Sequence, residues 1–592
     1  MTTHAGAADF RTRLQDLIPK LVLSPSIAAI LVFVYGFILY SVFLSFTDSK
    51  MLPSTTLIGL ENYAKLWGLS HWIMAISNLA IFATLYIVIC TAIGLMLAIF
   101  LDQKIRGEGF LRPIFLYPMA LSFIVTGTAW KWILDPGIGL EHTMHLWGWA
   151  SFKFDWIKNR DMAIYTVVLA AVWQTSGFVM AMFLAGLRGI DNEILKAAQI
   201  DGASNWQLYR RIVIPLLRPA FLSAFVILSH LAIKSYDLVI ALTGGGAGAG
   251  DGIAGNVHVF LHIHPQFDGH RGGERRHHAD DDCGHHDPVS LRRTEGEGGM
   301  TAVTEDTAVR TGGVTRMFIY LVLLLFGLFY LLPLFVMLSN SLKPLSEITG
   351  GNMMALPQDW TLAPWRSAWS TAQIGVEATG LRPYFLNSIL MVVPAVAIST
   401  VLGALNGYVL TKWRFRGDTI VFGLMLFACF IPFQIVLIPM ARMLGLMGLA
   451  GSTPGLVVVH VVYGLGFTTL YFRNYYAAFP TELVRAAMID GAGFFRIFWR
   501  IMLPVSGPIA VVSVIWQFTN IWNDFLFGAS FADLDSMPMT VALNNLVNSS
   551  TGVKEYNVHF AGAILAALPT LIVYVVAGRF FVRGLMAGSV KG

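Results

Sequence analysis

Charge is scarce in this chain. Asp, Glu, Lys and Arg make up 13% of its 592 residues, while 56% are hydrophobic and the mean hydropathy is +0.64. A soluble domain carries about twice that charged fraction, so an ordinary globular fold is excluded. Cysteine is rarer still. Cys90 and Cys429 fall inside apolar runs and Cys283 in an atypical polar stretch, so no disulfide framework holds the chain together. A phosphate-binding loop is also missing: the Gly-rich string Gly244 to Gly252 (GGGAGAGDG) lacks the Lys-Ser/Thr that would meet phosphates and Mg²⁺. Ser, His and Asp are scattered, with no spacing that suits a catalytic triad or a metal hydrolase. The expectation is a non-enzymatic protein with no cofactor.

What the chain has in quantity is long apolar runs. About 20 apolar residues cross the roughly 30 Å of hydrocarbon in a bilayer. Runs of that size lie near 22–46, 77–101, 112–134, 162–187 and 219–243, and again near 317–340, 385–411, 419–441, 455–475, 508–530 and 557–580. The first is too long for a cleaved signal and reads as an anchor. Lys and Arg sort to alternate connections: Arg11, Arg13 and Lys20; Lys104, Arg106 and Arg112; Lys196, Arg210, Arg211 and Arg218; then Lys412, Arg414 and Arg416; Arg485, Arg496 and Arg500; Arg579 and Arg583. Those segments are expected on the cytoplasmic side. The net charge of +5 is thereby a topology signal and gives no reason to invoke nucleic acid.

Two stretches repeat in register. Glu193 to Pro219 reads EILKAAQIDGASNWQLYRRIVIPLLRP, and 289 positions later Glu482 to Pro508 reads ELVRAAMIDGAGFFRIFWRIMLPVSGP. The same offset relates Ala197 to Ala486, Asp201 to Asp490, Gly202 to Gly491, Arg211 to Arg500 and Pro215 to Pro504. Each copy reads as a short helix, a break at Asp-Gly-Ala, and a second amphipathic helix leading into the next span. Gly permits a sharp reversal there, and paired Ala keeps the first helix narrow. These residues resemble the EAA loop of binding-protein-dependent ABC importer permeases, except that the Glu before Ala-Ala is Lys196 in one copy and Arg485 in the other. The resemblance implies that Glu193, Ala197, Ala198, Asp201, Gly202, Ala203 and Pro215, with Glu482, Ala486, Ala487, Asp490, Gly491, Ala492 and Pro504, couple the membrane part to a dimer of ABC ATP-binding subunits. The blander reading is a surface helix in which Ala is merely a good helix former.

Further phrases narrow the resemblance. LSPSIAAILVFVYGFILYSVFLSFTDS, GLENYAKLW and SYDLVIALTGGG look like the first permease subunit of carbohydrate-uptake importers, while ALNGYVLTKWRFRGD, FIPFQIVLIP and FTNIWNDFLFG are similar to the second. The match covers nearly everything outside about 247–315. It implies an all-α polytopic inner-membrane protein of two tandem six-helix permease units. Its partners would be the ATPase dimer, an extracytoplasmic sugar-binding protein, membrane lipid and a sugar, most like glucose/mannose-type systems, with maltose- or α-glucoside-type uptake next.

Polar residues inside spans are the default place for a substrate path. The first half offers Trp173, Gln174, Thr175, Ser176, His230, Lys234, Ser235, Tyr236 and Asp237, and the second Gln517, Asn520 and Asn523 beside Trp516, Trp522 and Asp524. Hydroxyls of a sugar want fixed donors and acceptors, and its faces pack on aromatic rings. The competing reading has these groups joining helices by hydrogen bonds. In maltose-type permeases the sugar sits against positions that resemble 175–179 and about 228–235, which favours the first-half cluster. An ion-coupled secondary carrier would also use repeats and midplane polar groups. The paired loops argue against it.

One segment breaks the pattern. Where the second half supplies its sixth span, the first continues into a His- and Gly-rich run through His258 and His286. A metal-binding loop is one reading, since His-rich tracts bind metals. The genetic code supplies another. Regrouping each codon's last two bases with the next codon's first base turns His followed by Asp, Gly or Ala into Met or Thr, and His-His into Ile or Thr, so the polar letters become apolar. At Met300-Thr301 the same frame forces a TGA stop overlapping a start. The expected organisation is therefore a first unit at 1–250 lacking its sixth helix, an aberrant, frame-shifted segment at 251–299, and a second unit at 300–592. No metal site is expected, and the chain as written should transport poorly. DNA sequencing across codons 240–301 tests this: one base change should open an apolar frame ending in the overlapping TGA, and unavoidable stops earlier in that frame would overturn the reading.

Overall fold

In hydrocarbon no water is available to bond backbone N–H and C=O groups, so a chain this apolar must satisfy them internally. The computed structural model does so with helices. It describes residues 3–50, 53–103, 105–244, 313–548 and 553–589, with side chains described between 17 and 576, and no strand occurs among them. The segment 251–299, with its metal-loop and shifted-frame readings, and Met300 lie outside the described residues.

The first unit contains α1 (Leu17–Ser45), α2 (Ser70–Asp102), the bent pair α3 (Glu108–Ala120) and α4 (Phe123–Ile133), and α5 (Ala163–Arg188). A loop helix α6 (Asn192–Ile200), the bent pair α7 (Asn205–Leu216) and α8 (Arg218–Ile233), and α9 (Tyr236–Thr243) follow. The second unit repeats the order with α10 (Gly313–Asn340), α11 (Arg382–Lys412), α12 (Asp418–Ala428), α13 (Phe433–Leu446) and α14 (Thr453–Ala477). Then come α15 (Thr481–Ile489), α16 (Phe494–Val505), α17 (Gly507–Trp522), α18 (Leu526–Phe531), α19 (Met539–Asn548) and α20 (Tyr556–Ser589). Among the described residues seven helices are long and apolar enough to span, and counting each of the four bent pairs as one span brings the candidate crossings to eleven. That is the number and order the hydropathy runs predict.

The runs are less straight than hydropathy suggests. The third spans turn by 102° between α3 and α4 and by 98° between α12 and α13. Pro118 and Pro432 stand at these turns, where a residue without an N–H cannot continue the helix ladder. Ser122 restarts the helix as α4 by accepting a bond from the Val125 N–H at 3.1 Å. The runs near 219–243 and 508–530 are likewise divided, with Lys234 and Ser235 separating α8 from α9 and residues 523–525 separating α17 from α18.

Within each unit the tightest pairing is α2 against α5 and α11 against α14. Small residues allow it. A Cβ on Gly94 would come within 2.6 Å of Val179, and on Gly403 and Gly407, four apart, within 2.5 Å of Thr468 and 2.7 Å of the Arg473 nitrogen. Lipid is as apolar as the side chains, so close packing, not water exclusion, holds such helices together.

The first span of each unit packs on the other unit. α1 lies against α11, α12 and α14, with Tyr35 donating to the Leu424 carbonyl at 2.8 Å and Tyr463 donating to Phe33 at 2.9 Å. α10 lies against α2, α3 and α4, and Tyr117 and Trp173 both donate to the Tyr330 carbonyl, at 2.7 and 3.2 Å. A second fastening ties the units together through fully buried Lys343, whose Nζ donates to Asn340 at 3.3 Å and to the Asn352 carbonyl at 3.1 Å. Thr143 of the first unit in turn donates to the Asn352 side chain at 3.1 Å.

Gly403→Ile should drive α11 from α14 and cost about 1–3 kcal/mol, as overpacking does. Gly423→Ile, with open space around its Cβ, should be nearly silent. Thermal melts of the two purified variants check this, and equal melting points would refute the packing argument.

Candidate functional site

Two constellations stand out: a pair of exposed loop helices, and a polar level where the two units meet.

The loop helices are α6 and α15. α6 begins at Asp191, whose side chain accepts from the Glu193 N–H at 2.9 Å; α15 begins at Pro480, with no side-chain cap, and Lys412 fixes its start by donating to Thr481 at 3.3 Å. Both end in the same turn, with Gly202 and Gly491 each at φ +80°. A Cβ at either glycine meets nothing within 4 Å, so glycine is required there by backbone conformation and not by crowding. Glu193, Glu482, Asp201 and Asp490 are exposed, as are Ala197 and Ala486. Ala198 is buried against the bundle and Ala487, Ala203 and Ala492 are half-buried, so only one alanine of each pair faces outward. Pro215 closes α7, and Pro504 closes α16 at the equivalent place.

The loops show a feature that motif reading passed over. Three equivalent pairs of large apolar side chains stand in the open: Ile194 (44%) with Leu483 (53%), Ile200 (85%) with Ile489 (86%), and Trp206 (72%) with Phe495 (51%). They flank Asp-Gly among charged residues, where lipid is not the natural cover, and clustered exposed apolar groups of this kind mark contact surfaces. Their signal was present in the sequence as an apolar residue shared by both copies at positions away from the core face. The first loop is tied to the spans, since Gln103 at the end of α2 donates to the Tyr209 hydroxyl of α7 at 2.8 Å.

The polar level lies where the breaks after α8 and α17 meet the bends of the opposite unit. Lys234 Nζ sits 3.5 Å from the ring centroid of Phe433, at the start of α13. Asn523, its equivalent 289 residues later, donates through Nδ2 to the Ala120 carbonyl at 3.0 Å, at the end of α3. Each unit thus reaches across to the other's broken span. Asp237 is half-buried in the first turn of α9, three residues after Lys234. Asp524 accepts from the Gly528 N–H at 3.1 Å and lies 3.7 Å from His460 Nε2. His230 meets Phe430 edge-on at 5.9 Å.

The other expected path residues are mostly engaged in packing. Trp173 is buried on Tyr330, and Ser176 bonds the Tyr330 hydroxyl at 2.5 Å, so both belong to the fastening between units. Gln174 donates to the Leu121 carbonyl at 2.8 Å, while its Oε1 is buried without a protein partner. Thr175 and Tyr236 are buried, and Ser235 bonds back to Ala232 at 2.9 Å. Gln517 donates to Ser399 at 3.0 Å inside the second unit, and Asn520 is exposed. The geometry sets Lys234 on Phe433 and Asn523 on Ala120 across the boundary between units, and adds the neighbouring pair His460 and Asp524. Among the described residues no group of His, Cys, Asp and Glu could hold a metal ion.

The sequence profile described as "Binding-protein-dependent transport system inner membrane component" matches residues 90–255 and 384–585. Two probable ABC transporter permease proteins of Pyrococcus horikoshii are similar to this chain. One is 40% identical, covering 38% of this chain and 79% of the relative; the other is 37% identical, covering 47% and 98%. A diacetylchitobiose uptake system permease protein of Streptomyces coelicolor is 30% identical over 45% of this chain and 87% of its own length.

Because the Gly202 and Gly491 turns demand positive φ but not space, Asn, which tolerates that region, should substitute with little loss at either position. Val should cost about 1–3 kcal/mol of local strain and unsettle the loop. Limited proteolysis at the loops of the four variants distinguishes these outcomes. Equal protection of Asn and Val variants would contradict the conformational argument.

Proposed function

Since this chain belongs to the family of binding-protein-dependent transport system inner membrane components, matching it over more than half its length, we propose that it forms the passage of an ATP-driven sugar importer. The family makes it a multi-pass inner-membrane transport component, with no reaction of its own. In this reading α6 and α15 seat in the grooves of two ATP-binding subunits, and closure of that dimer draws the loops together. The push travels through α7 and α16 into the broken spans behind them. There the Lys234–Phe433 and Asn523–Ala120 contacts separate, and sugar delivered from outside by a soluble binding protein passes between the units.

The observation that carries the coupling half is the matched pair of exposed apolar knobs, Ile200 and Ile489, on turns of identical φ. Two such surfaces in register suit a dimeric partner better than any single contact would. A sugar cargo is supported by the mixture of fixed polar groups and rings at the unit boundary, and by a relative named for diacetylchitobiose uptake. Glucose or mannose is the first candidate, on the phrases shared with such permeases, and maltose or an α-glucoside the second.

Ile200→Asp combined with Ile489→Asp should lower co-purification of the ABC ATP-binding subunit that the unaltered chain retains at least tenfold, while leaving membrane insertion intact. Undiminished co-purification would remove the coupling assignment. The sugar assignment is read separately, by fluorescence titration of the soluble binding protein that docks on this chain with glucose, mannose and maltose: saturation by glucose or mannose supports it, saturation by maltose moves it to the second candidate, and indifference to all three ends it.

A further inference from the structure

Two places on the boundary between the units carry lysines held by aromatic rings instead of carboxylates. Lys234 is the deeper. Its Nζ stands 3.5 Å from the centroid of Phe433, and the Phe433 ring is itself packed on Tyr463 at 5.2 Å and Phe527 at 4.9 Å. A ring face attracts an ammonium group through its quadrupole but has no net charge, so the contact holds the cation without neutralising it. Among the described residues no carboxylate lies within ion-pairing distance of Lys234. Asp237, three residues on, is half-buried, and Asp524 is taken up by the Phe527 and Gly528 N–H groups, at 3.4 and 3.1 Å, beside His460.

The second place is at the end of α4. Lys131 donates to the Asn548 side chain of α19, in the other unit, and its Nζ lies 5.2 Å from the centroid of Trp132. Lys554, just before α20, lies 5.7 Å from the same ring. Trp132 is buried, with Tyr556 and His559 packed on it at 4.9 and 5.6 Å. Glu555 is exposed, and Asp135, four residues after Lys131, is paired with Lys158 at 3.4 Å. The loop after α4 falls on the side opposite the Lys- and Arg-rich connections, which puts this pair toward the outer surface. A Cβ on Gly244, at the end of α9, would lie 3.7 Å from Asn548 Oδ1. The two levels are therefore separated by the 8 residues of α9, a rise of about 12 Å.

Fastening the units does not require these charges. Asn523, which stands in the second unit where Lys234 stands in the first, reaches the Ala120 carbonyl at 3.0 Å as a neutral amide. An ammonium group is costly to keep at membrane depth, and one that is kept there marks an ion or substrate route. A passage wide enough for a neutral sugar is wider than a proton or a sodium ion, and a membrane potential, negative inside, draws both inward. Size cannot exclude them, but fixed charge of their own sign can.

We propose that Lys234, with Lys131 and Lys554 outside it, forms a cation barrier: the uncompensated ammonium groups keep protons and small metal cations out of the boundary between the units and leave a neutral cargo free to pass. The inference rests on the reading that cargo crosses between the units, and not on which sugar it is.

The test uses the purified full chain in phospholipid vesicles holding a pH-sensitive dye, with a valinomycin potassium potential, negative inside, driving protons inward. Vesicles with the unaltered chain should take up protons at nearly the rate of protein-free vesicles. Lys234→Met should raise the rate about tenfold, the low end of what fixed charge does to local ion concentration in a narrow cleft. Lys234→Arg should leave it low. Lys131→Met combined with Lys554→Met should raise it severalfold, and either level suffices for the reading if the other variant fails to insert. With the potential reversed and a chloride-sensitive dye, chloride entry should not rise in the Met variants. An unaltered chain that already leaks, or an inserted Met variant as tight as the unaltered chain, overturns the proposal. So does an Arg variant as leaky as its Met counterpart, and so does chloride entering along with protons, which marks a lost seal and not a lost charge. The readout involves neither ATP nor sugar, so its failure would leave the transport reading standing, and loss of the ATP-binding subunit's contact would leave the leak unchanged.

Discussion

The exchange of first spans is the constraint on which the rest of this architecture depends. α1 lies on the second unit and α10 on the first, and each is held by tyrosine hydroxyls bonded to backbone carbonyls: Tyr35 on Leu424, Tyr463 on Phe33, and Tyr117 on Tyr330. Lipid offers such groups no alternative partner, so separating the units would strand the hydroxyls. The units can tilt against each other, but they cannot come apart cheaply. That is the mechanical requirement for a passage that opens at one end while remaining closed at the other.

Bends supply the moving parts. A straight span would transmit a push along its axis and nothing across it. Here the third and fifth spans of both units are broken, and the breaks meet at one level, where Lys234 reaches Phe433 and Asn523 reaches Ala120. The tie from Gln103 to Tyr209 places the end of α2 beside the helix behind the first loop. In the proposed cycle, a displacement at α6 therefore arrives at that level as rotation about the bend between α7 and α8. Pro118 and Pro432 keep the two facing bends from straightening.

Much of this was legible in the letters. Eleven apolar runs anticipated the eleven candidate crossings among the described residues, and the 289-residue repeat anticipated two units with equivalent loop helices, down to glycine at the turn. The polar residues of the spans were equally visible, but not their work. Trp173 and Ser176 were visible as groups inside a span, but their bonds to Tyr330, a residue of a helix more than 150 positions away, were not. Asp524 and His460 form a pair that neither position suggests alone. The exposed knobs Ile200 and Ile489 were plain as letters, yet nothing marked them as exposed until the loop's register on the bundle was known.

The sequence by itself determined the class, the number and order of the spans, the loop turns and the repeat, because each of these follows from local properties: how many apolar residues stand together, where proline denies an N–H, and where only glycine accepts positive φ. Tertiary structure decided which helix of one unit lies on the other, which polar groups meet a partner, and which apolar face is left uncovered. Those outcomes depend on packing between segments hundreds of residues apart. In a membrane, where every face of a span is apolar, periodicity does not distinguish a face that meets lipid from one that meets protein.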